Sequence, residues 1–343
     1  MKKQVRVGNL TLGDGNVYIQ SMLNIPPEDL EGNIRQAQEL ESAGCEIVRV
    51  AVPSVKDVRL IEAIKSHISI PLVADIHFDY KIALECVSAG VDKIRINPGN
   101  IGADENVKKV ADACREHNIP IRIGVNSGSV EKSLLEKYGA PTAQALTESA
   151  LYHTSLLNKF DFDDVVISVK SSSVKTTIEA YRLLAEKTDY PLHLGVTETG
   201  TERMGIIKSA AAIGSLLCDE IGDTIRISLT ENPVREIYAA KDILRAIGKG
   251  KGIQIVSCPT CARTRIDLIS LVHEVEEATK NINKSLKVAV MGCAVNGPGE
   301  AREADIGIAG GNGEGLLFKK GEIIRKIPEE KLLDELLSEI EKF

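Results

Sequence analysis

The sequence predicts an α/β fold in which a (β/α)8 barrel is followed by a small α+β domain. The first observation is a repeated unit, because a short β-rich segment recurs and an amphipathic helical stretch follows it. The second is the set of residues at the boundaries of these units. Glycine ends helical stretches, as at Gly44, and proline begins strands, as at Pro71. The third is a polar, glycine-rich stretch at 247–252, a natural domain boundary. We therefore expect domains at 1–248 and 253–343.

Eight strands and the clearest helices can be placed in chain order. The strands are predicted at 17–22, 46–52, 71–76, 92–97, 120–126, 164–170, 191–197 and 224–229. Helical patterns lie at 29–43, 81–89, 106–117 and 176–187. Eight such units are typical of a (β/α)8 TIM barrel. A doubly wound open sheet is the alternative, but no G-x-G-x-x-G motif follows the first strand.

The chain beyond residue 252 predicts a smaller α+β unit. Strands are predicted at 252–256, 287–291 and 305–309, a hairpin at 315–327 and a closing helix at 329–342. Ile266, Ile269 and Val275 supply the apolar face of a further helix after the first of these strands. The unit is too small to surround a substrate alone, so we expect the barrel to supply the other half of a shared site.

Composition excludes several classes of protein. The net charge is −7, aromatic residues make up 3% and tryptophan is absent, so platforms for nucleic acid are not expected. No segment approaches the ~20 apolar residues that span a bilayer, and the basic N-terminus lacks the apolar run of a secretion signal. Seven cysteines, without the dense spacing of a disulfide scaffold, indicate a reducing, cytoplasmic location.

Polar residues cluster at the carboxyl ends of the predicted strands, where barrel enzymes carry out their chemistry. In chain order they are Gln20, Ser21, Arg49, Asp75, His77, Arg95, Asn97, Arg122, Asn126, Lys170, Glu198, Arg226 and Ser228. Each of the four arginines stands between two β-branched residues, as in Ile94-Arg95-Ile96. Because side chains alternate along a strand, these guanidinium groups should point into the barrel, where each needs an anion.

Two interpretations of these buried cations remain open. They can pair with internal acids, but only Asp75 and Glu198 lie at this rim, too few for four arginines and Lys170. The alternative is an anionic ligand, and the sequence favours a small polyanionic substrate that carries phosphates. We expect His77, which shares a strand face with Asp75, to contact this substrate, and His193 to be structural.

Three cysteines and a glutamate in the last third of the chain indicate a metal centre. Cys258 and Cys261 form a C-x-x-C loop, and Cys293 lies on a separate glycine-rich turn that continues to Glu300. Three thiolates can hold three corners of an iron–sulfur cube and leave one iron for a different ligand. A zinc knuckle would also use C-x-x-C. The cysteine pattern by itself leaves both metals open.

Four motifs are long enough to be specific. They are Val73-Ala74-Asp75-Ile76-His77-Phe78-Asp79, Arg95-Ile96-Asn97-Pro98-Gly99-Asn100-Ile101-Gly102, Cys258-Pro259-Thr260-Cys261 and Asn296-Gly297-Pro298-Gly299-Glu300. With them the chain resembles the family of 4-hydroxy-3-methylbut-2-en-1-yl diphosphate synthases, in its short bacterial form. This family belongs to the non-mevalonate (MEP) pathway of isoprenoid biosynthesis. The resemblance runs over almost the whole chain.

The resemblance implies an oxidoreductase. Its substrate would be 2-C-methyl-D-erythritol 2,4-cyclodiphosphate, whose ring is opened and whose C3 hydroxyl is lost as water in a two-electron reduction to 4-hydroxy-3-methylbut-2-enyl diphosphate. A [4Fe–4S] cluster would be held by Cys258, Cys261 and Cys293, with Glu300 as the fourth ligand. The electron donor would be ferredoxin or flavodoxin. The enzyme would be a homodimer in which the cluster domain of one chain closes the barrel of the other.

The resemblance also assigns the site residues of the barrel. The family's substrate-binding positions correspond to Arg49, Asp75, His77, Arg95, Asn97, Arg122, Asn126, Lys170, Arg226 and Ser228, and the catalytic candidates are Glu198 and Glu300. We expect Glu198 to give a proton to the departing oxygen, and its alternative role is an ion pair with Lys170 or an arginine. The rival functions are a pterin-type transferase barrel with a structural zinc module, and a non-enzymatic iron–sulfur protein.

Overall fold

The computed structural model of the chain describes residues 2–97, 100–280, 282–294, 299 and 301–343. The chain divides into two compact units, Met1–Ile243 and Leu244–Phe343. The first is called the barrel unit and the second the C-terminal unit. Each has its own sheet and its own buried apolar residues.

The barrel unit begins with a hairpin and continues as a ring of eight parallel strands. The hairpin pairs β1 (Val5–Val7) with β2 (Leu10–Leu12). The ring consists of β3 (Tyr18–Met22), β4 (Ile47–Ala51), β5 (Leu72–Asp75), β6 (Lys93–Ile96), β7 (Ile121–Asn126), β8 (Val165–Lys170), β9 (His193–Leu194) and β10 (Thr224–Ile225). Strands β3 to β8 pair in sequence, β9 pairs with β10, and β10 pairs with β3. A bridge between Ile167 and Leu192 joins β8 to the start of β9, so the predicted (β/α)8 barrel is confirmed.

Helices follow the strands around the barrel. They are α1 (Leu30–Ser42), α2 (Arg59–Lys65), α3 (Tyr80–Ser88), α4 (Asp104–Glu116), α5 (Lys132–Tyr138), α6 (Ala143–Asn158), α7 (Val174–Lys187), α8 (Glu202–Ser209), α9 (Ser215–Cys218) and α10 (Pro233–Ala246). The Ser173 hydroxyl caps α7 by accepting a hydrogen bond from the Thr176 N–H at 3.2 Å, so α7 begins two residues before its predicted start. In the described part of the chain, no helix is both long and apolar enough to cross a membrane.

The last two strands of the ring are shorter than the sequence predicts. Ladder pairing is limited to His193–Leu194 and Thr224–Ile225, although 191–197 and 224–229 have the pattern of strands. Single backbone hydrogen bonds continue beyond these pairs, from the Arg226 N–H to the Leu194 carbonyl at 3.0 Å and from the Thr197 N–H to the Ser171 carbonyl at 3.2 Å. The backbone beyond β9 and β10 therefore keeps isolated hydrogen bonds to neighbouring strands, although the continuous ladder of strand pairing has ended.

The hairpin packs against the first residues of the barrel strands. Val5, Val7 and Leu12 from the hairpin form one buried cluster with Ile47 on β4, Val73 on β5 and Val166 on β8. These three barrel residues lie near the amino ends of their strands, so the hairpin covers the amino-terminal end of the barrel. The carboxyl ends, where the predicted site residues lie, are on the opposite side.

The C-terminal unit is a mixed sheet with two helices on one face. Its strands, in sheet order, are β11 (Ile253–Ser257), β12 (Leu286–Met291), β13 (Ile306–Gly310), β14 (Glu314–Lys319) and β15 (Glu322–Pro328). The first three are parallel and the last two form an antiparallel hairpin. Helices α11 (Leu268–Thr279) and α12 (Leu332–Glu341) pack on this sheet through buried residues that include Val275 and Leu336.

The hairpin turn gives a prediction about the stability of the barrel unit. Gly8 has a φ of 56°, and a Cβ there would lie 2.9 Å from Cγ of Pro71. We expect Gly8→Ala to lower the free energy of unfolding by roughly 1–2 kcal/mol, because the side chain adds left-handed strain to a steric clash. Urea unfolding checks this.

Gly214→Ala is the matched control. Its φ of −59° suits any residue, and a Cβ there has no neighbour within 4 Å apart from its own helix. Alanine should leave stability unchanged or raise it slightly. Equal losses for the two variants would contradict the proposed strain at Gly8.

Candidate active site

The interior of the barrel is lined by cations. Standard barrels fill this space with valine, isoleucine and leucine. Here the interior positions of the strands carry Arg49, Lys93, Arg95, Arg122, Lys170 and Arg226, the first five buried and the last half-buried. The β-branched neighbours of the arginines face outward, as the alternation along the strands predicted. Lys93 was missed by the sequence analysis, although the alternation Lys93-Ile94-Arg95 puts it on the same face as Arg95.

Asp75 at the end of β5 binds two of these arginines. Its Oδ2 accepts a hydrogen bond from Nη2 of Arg49 at 2.5 Å, and its Oδ1 accepts one from Nη1 of Arg95 at 3.1 Å. Nε2 of His77 lies 3.7 Å from Oδ2. Burial alone would raise the pKa of Asp75, but the charges of Arg49 and Arg95 hold this pKa well below its usual range. Asp75 is therefore ionised at neutral pH and orients both guanidinium groups.

Two glycines make room for long cationic side chains. A Cβ at Gly124 would lie 2.5 Å from Nε of Arg95, whose Nη2 donates to the Gly124 carbonyl at 3.1 Å. A Cβ at Gly195 would lie 2.7 Å from Nζ of Lys170. The side chains of Arg95 and Lys170 thus occupy space that any other residue on the neighbouring strand would fill.

Arg226 pairs with an acid that was not among the predicted partners of the arginines. Its Nη2 lies 3.4 Å from Oε1 of Glu236, a buried residue of α10. The other oxygen of Glu236 accepts a hydrogen bond from the Ser21 hydroxyl at 2.8 Å, and Oε1 also accepts one from the Leu229 N–H at 3.1 Å. The expectation that Asp75 and Glu198 are the only acids for these arginines is therefore corrected. The helix pattern gave no sign that Glu236 faces the strands.

Arg122 and Lys170 remain without a carboxylate among the described residues. Arg122 is 2% exposed, and its Nη1 donates to Oε1 of Gln20 at 3.3 Å. Burial lowers the pKa of Lys170 well below its usual value, and the positive charges of Arg226 and Arg122 lower it further. Both residues would gain from an anion in the barrel. Internal ion pairing therefore accounts for Arg49, Arg95 and Arg226 but not for these two cations.

A cavity of about 750 Å³ opens at the carboxyl ends of the strands. Five of the predicted site residues line it: His77, Arg95, Asn97, Asn126 and Glu198. The serines of this wall, Ser127, Ser129 and Ser172, were not predicted as site residues, although each lies within three residues of the end of a predicted strand. Arg49, Arg122, Lys170, Arg226 and Ser228 do not line this cavity. The cavity thus has a neutral, hydroxyl-bearing wall.

Three of the predicted site residues, Glu198, Asn126 and Ser228, have backbone features that shape the loops at the barrel mouth. Glu198 is exposed and has a φ of 54°, a left-handed conformation that is uncommon for glutamate and recurs at functional sites. The Asn126 N–H donates to the Ser129 hydroxyl at 2.9 Å, which fixes the turn after β7. The Ser228 carbonyl accepts a hydrogen bond from the Thr199 hydroxyl. This last bond ties the loop after β10 to the loop that carries Glu198.

His193 lies inside the barrel rather than at its mouth. It is fully buried, and its Nδ1 lies 2.8 Å from the Thr224 hydroxyl on β10. Burial lowers the pKa of His193 well below its usual value, and the charges of Arg122 and Lys170 lower it further. The imidazole is therefore neutral at physiological pH.

The cysteines of the C-terminal unit follow two adjacent parallel strands. Cys258 comes directly after β11 and Cys293 two residues after β12, and the Gly292 N–H donates to Sγ of Cys258 at 3.2 Å. Cys261 is exposed, and hydrogen bonds from the backbone and then the side chain of Arg263 lower the pKa of its thiol. Glu300 lies outside the described residues.

The donor set fits a thiolate-bound metal centre. Half-buried Cys258 and Cys293 come from neighbouring strand ends, and an N–H bond to sulfur is typical of iron–sulfur sites. Within the described ranges, no three His, Cys, Asp or Glu side chains are close enough together to form a metal site. The structure thus places two of the three thiols on adjacent strand ends and leaves Cys261 on the exposed loop.

Solved structures with a similar fold include two dihydropteroate synthases. The enzyme from Stenotrophomonas maltophilia, with active site-bound imidazole, has a TM-score of 0.52 at 14% identity and covers 71% of this chain and 96% of its own. The enzyme from Yersinia pestis has a TM-score of 0.51 at 16% identity, with 72% and 98% covered. At such identities the likeness shows the barrel fold alone.

Family models and curated relatives match nearly the whole chain. A protein from Fusobacterium nucleatum subsp. nucleatum is 58% identical over 334 residues, which cover 97% of this chain and 94% of the relative. A protein from Clostridium perfringens is 59% identical over 341 residues, with 99% and 98% covered. Both are named 4-hydroxy-3-methylbut-2-en-1-yl diphosphate synthase (flavodoxin). Because the GcpE TIM-barrel domain matches residues 2–241 and the GcpE protein C-terminal domain matches residues 254–342, the chain belongs to the GcpE family.

Proposed function

We propose that the chain reduces 2-C-methyl-D-erythritol 2,4-cyclodiphosphate to 4-hydroxy-3-methylbut-2-enyl diphosphate and water, with electrons from flavodoxin or ferredoxin. The observation that carries this proposal is the buried surplus of cations in the barrel of a chain whose relatives bear this enzyme's name. Among the described residues, six interior lysine and arginine side chains face two carboxylates, Asp75 and Glu236. A cyclic diphosphate supplies the missing negative charge.

Arg122 and Lys170 are the proposed phosphate ligands. Neither has a carboxylate partner among the described residues, so a phosphate oxygen would not have to displace one. Arg49, Arg95 and Arg226 contribute further donors that Asp75 and Glu236 hold in place. The substrate therefore meets donors whose positions are already ordered, which limits the entropy lost on binding.

The mouth of the barrel holds the remaining substrate residues. His77, Asn97 and Asn126 line the cavity, and we assign them, with Ser228 at the next strand end, to the hydroxyl and phosphate oxygens of the substrate. The neutral wall of Ser127 and Ser172 suits the polyol part of the molecule better than its phosphates.

Glu198 is the proposed proton donor. Loss of the C3 hydroxyl as water consumes a proton, and a carboxylic acid at the cavity wall can supply it. The left-handed backbone of Glu198 aims this side chain from a fixed loop, since the Thr199 hydroxyl binds the Ser228 carbonyl. Its strain is of the kind that persists where function requires it.

Cys258, Cys261, Cys293 and Glu300 would hold a [4Fe–4S] cluster. When bound, this cluster would pass the two electrons of the reduction, one at a time, from the flavodoxin or ferredoxin to the substrate. Residues 1–248 would bind the substrate and residues 253–343 would bind the cluster. The enzyme would be a homodimer. A pterin-type transferase with a zinc module is not favoured, because the likeness to dihydropteroate synthases extends to the fold alone.

The proposed function is tested by anaerobic purification and assay. Each chain should contain about four irons and four sulfides, and the cyclic diphosphate should be consumed with reduced flavodoxin. Iron, sulfide and zinc analysis together with product detection measures this. One zinc per chain, no sulfide and no turnover would rule the reductase out.

The role of Arg122 predicts a loss of substrate affinity. Arg122→Gln should raise KM by about 30- to 150-fold, because the variant loses a charge-assisted bond to phosphate worth roughly 2–3 kcal/mol. Steady-state kinetics with the cyclic diphosphate measures this. Arg115→Gln, at an exposed residue of α4 that pairs with Asp112, is the control and should leave KM unchanged. An unchanged KM in Arg122→Gln would remove Arg122 from the phosphate site.

The role of Glu198 predicts a loss of turnover rather than of binding. Glu198→Gln should lower kcat by about 10²- to 10⁴-fold with little change in KM, since the amide cannot give up a proton. Glu116→Gln, at the exposed end of α4, is the control. Comparable losses in kcat and in affinity would favour an ion-pair role for Glu198 instead.

A further inference from the structure

Lys93 is a buried cation that the proposed reaction does not use. It lies on β6 two residues before Arg95, and its side chain is 0% exposed. Its Nζ has no hydrogen-bond partner among the described residues and forms no ion pair with a described carboxylate. A buried ammonium without an anion is strongly unfavourable, so the group loses its proton instead.

The surroundings of Lys93 carry more positive than negative charge. Within the described part of the chain, the charged or titratable groups of the barrel interior are Arg49 on β4, Asp75 at the end of β5, Arg95 on β6, Arg122 on β7, Lys170 on β8, His193 on β9, Arg226 after β10 and Glu236, which reaches Arg226 from α10. Asp75 is already bound by Arg49 and Arg95. Burial, and then the charges of Arg122 and Arg49, lower the pKa of Lys93 well below its usual value. Arginine keeps its proton in proteins, so among the interior lysines and arginines only Lys93 and Lys170 could become neutral. Of the two, Lys93 is the one whose Nζ is buried without a hydrogen-bond partner among the described residues.

A neutral amine would supply a hydrogen-bond acceptor for buried donors that have no partner. Nε2 of Gln20, Nε of Arg49 and Nε of Arg122 are all buried N–H donors without an acceptor. Gln20 and Arg122 already contact each other at 3.3 Å. Arg95 and Arg122 are partners across β6 and β7, so Lys93 lies one interior layer below Arg122 on the neighbouring strand. The lone pair of an unprotonated Nζ can accept one of these N–H groups.

We propose that Lys93 is an uncharged amine that accepts a hydrogen bond from the Arg122 side chain and so positions this guanidinium for the substrate. Lys93 is a positioning residue, because it acts through Arg122 and does not touch the substrate. A neutral Lys93 also limits the positive charge that the substrate has to balance. The part of this inference that concerns substrate rests on the proposed function, whereas the charge of Lys93 does not.

The charge of Lys93 is tested by the pH dependence of unfolding. A lysine that is neutral when folded and protonated when unfolded makes the unfolded state bind one more proton, so stability rises with pH. Relative to Lys93→Met, the unfolding constant of the wild type should fall about tenfold per pH unit between pH 7 and 8.5. The measurement is anaerobic urea unfolding of the full chain, followed by tyrosine fluorescence. All seven tyrosines of this tryptophan-free sequence lie between residues 18 and 238, so the signal reports the barrel unit.

Two further variants control this measurement. Lys93→Gln is also neutral and should show the same difference from the wild type, which keeps the test available when Lys93→Met folds poorly. Lys81→Met removes an exposed lysine of α3 and should follow the wild type at every pH. A ratio of unfolding constants that does not change with pH would show a charged Lys93 and overturn the proposal.

The positioning role is tested by affinity for the cyclic diphosphate. Lys93→Met should weaken binding about tenfold, and Lys93→Gln, whose amide oxygen is an acceptor, should restore most of it. In an Arg122→Met background the Lys93→Met change should have no further effect, because the residue it acts through is gone. Equal effects of Lys93→Met in the two backgrounds would overturn the positioning role. A wild type that fails to bind the cyclic diphosphate would overturn the proposed function, while the unfolding test would still decide the charge of Lys93.

Discussion

The carboxylate of Asp75, shared by Arg49 and Arg95, is the interaction on which the barrel interior depends. Guanidinium groups in the place of apolar side chains are costly unless an anion meets them. Asp75 lies on β5, between the strands that carry Arg49 and Arg95. Its oxygen atoms are 2.5 Å from a nitrogen of Arg49 and 3.1 Å from a nitrogen of Arg95. The same pairing keeps Asp75 ionised in spite of its burial. Gly124 on β7 leaves the space in which the Arg95 guanidinium reaches this carboxylate.

The barrel remains positively charged after its internal pairs are complete. Glu236 binds Arg226 from the helix layer, and Arg122 and Lys170 have no carboxylate within the described part of the chain. Such an interior is costly to fold and is relieved by an anionic ligand, so ligand binding and barrel stability should be linked. Arginine keeps its proton, so only Lys93 and Lys170 could lower this charge by losing one, and we assign that role to Lys93, whose Nζ has no described partner.

The fold class could be predicted from local sequence patterns. Which residues of the site pair with each other could not. The repeated strand and helix units predicted the eight-stranded barrel, because hydrophobic periodicity is a property of short segments. The position of Arg95 between two isoleucines likewise predicted its inward direction. Glu236 was missed because it approaches Ser21 and Arg226 from the first turn of α10, and helical periodicity alone does not say which neighbour a polar side chain will reach. Lys93 was not predicted because it begins its strand, whereas the residues that mark a barrel site lie at the carboxyl ends of the strands.

By itself, the sequence determined the order of strands and helices, the inward arginines and the cysteines available for a metal. These depend on residue type and on spacing along a short stretch of chain. Only the tertiary structure decided which cations are neutralised and which remain open to a ligand. That outcome depends on contacts such as Ser21 with Glu236, 215 residues apart, and Arg122 with Gln20, 102 residues apart. Closing the ring brings these residues together, and the free energy of a buried charge is set by such neighbours and not by its position in the sequence.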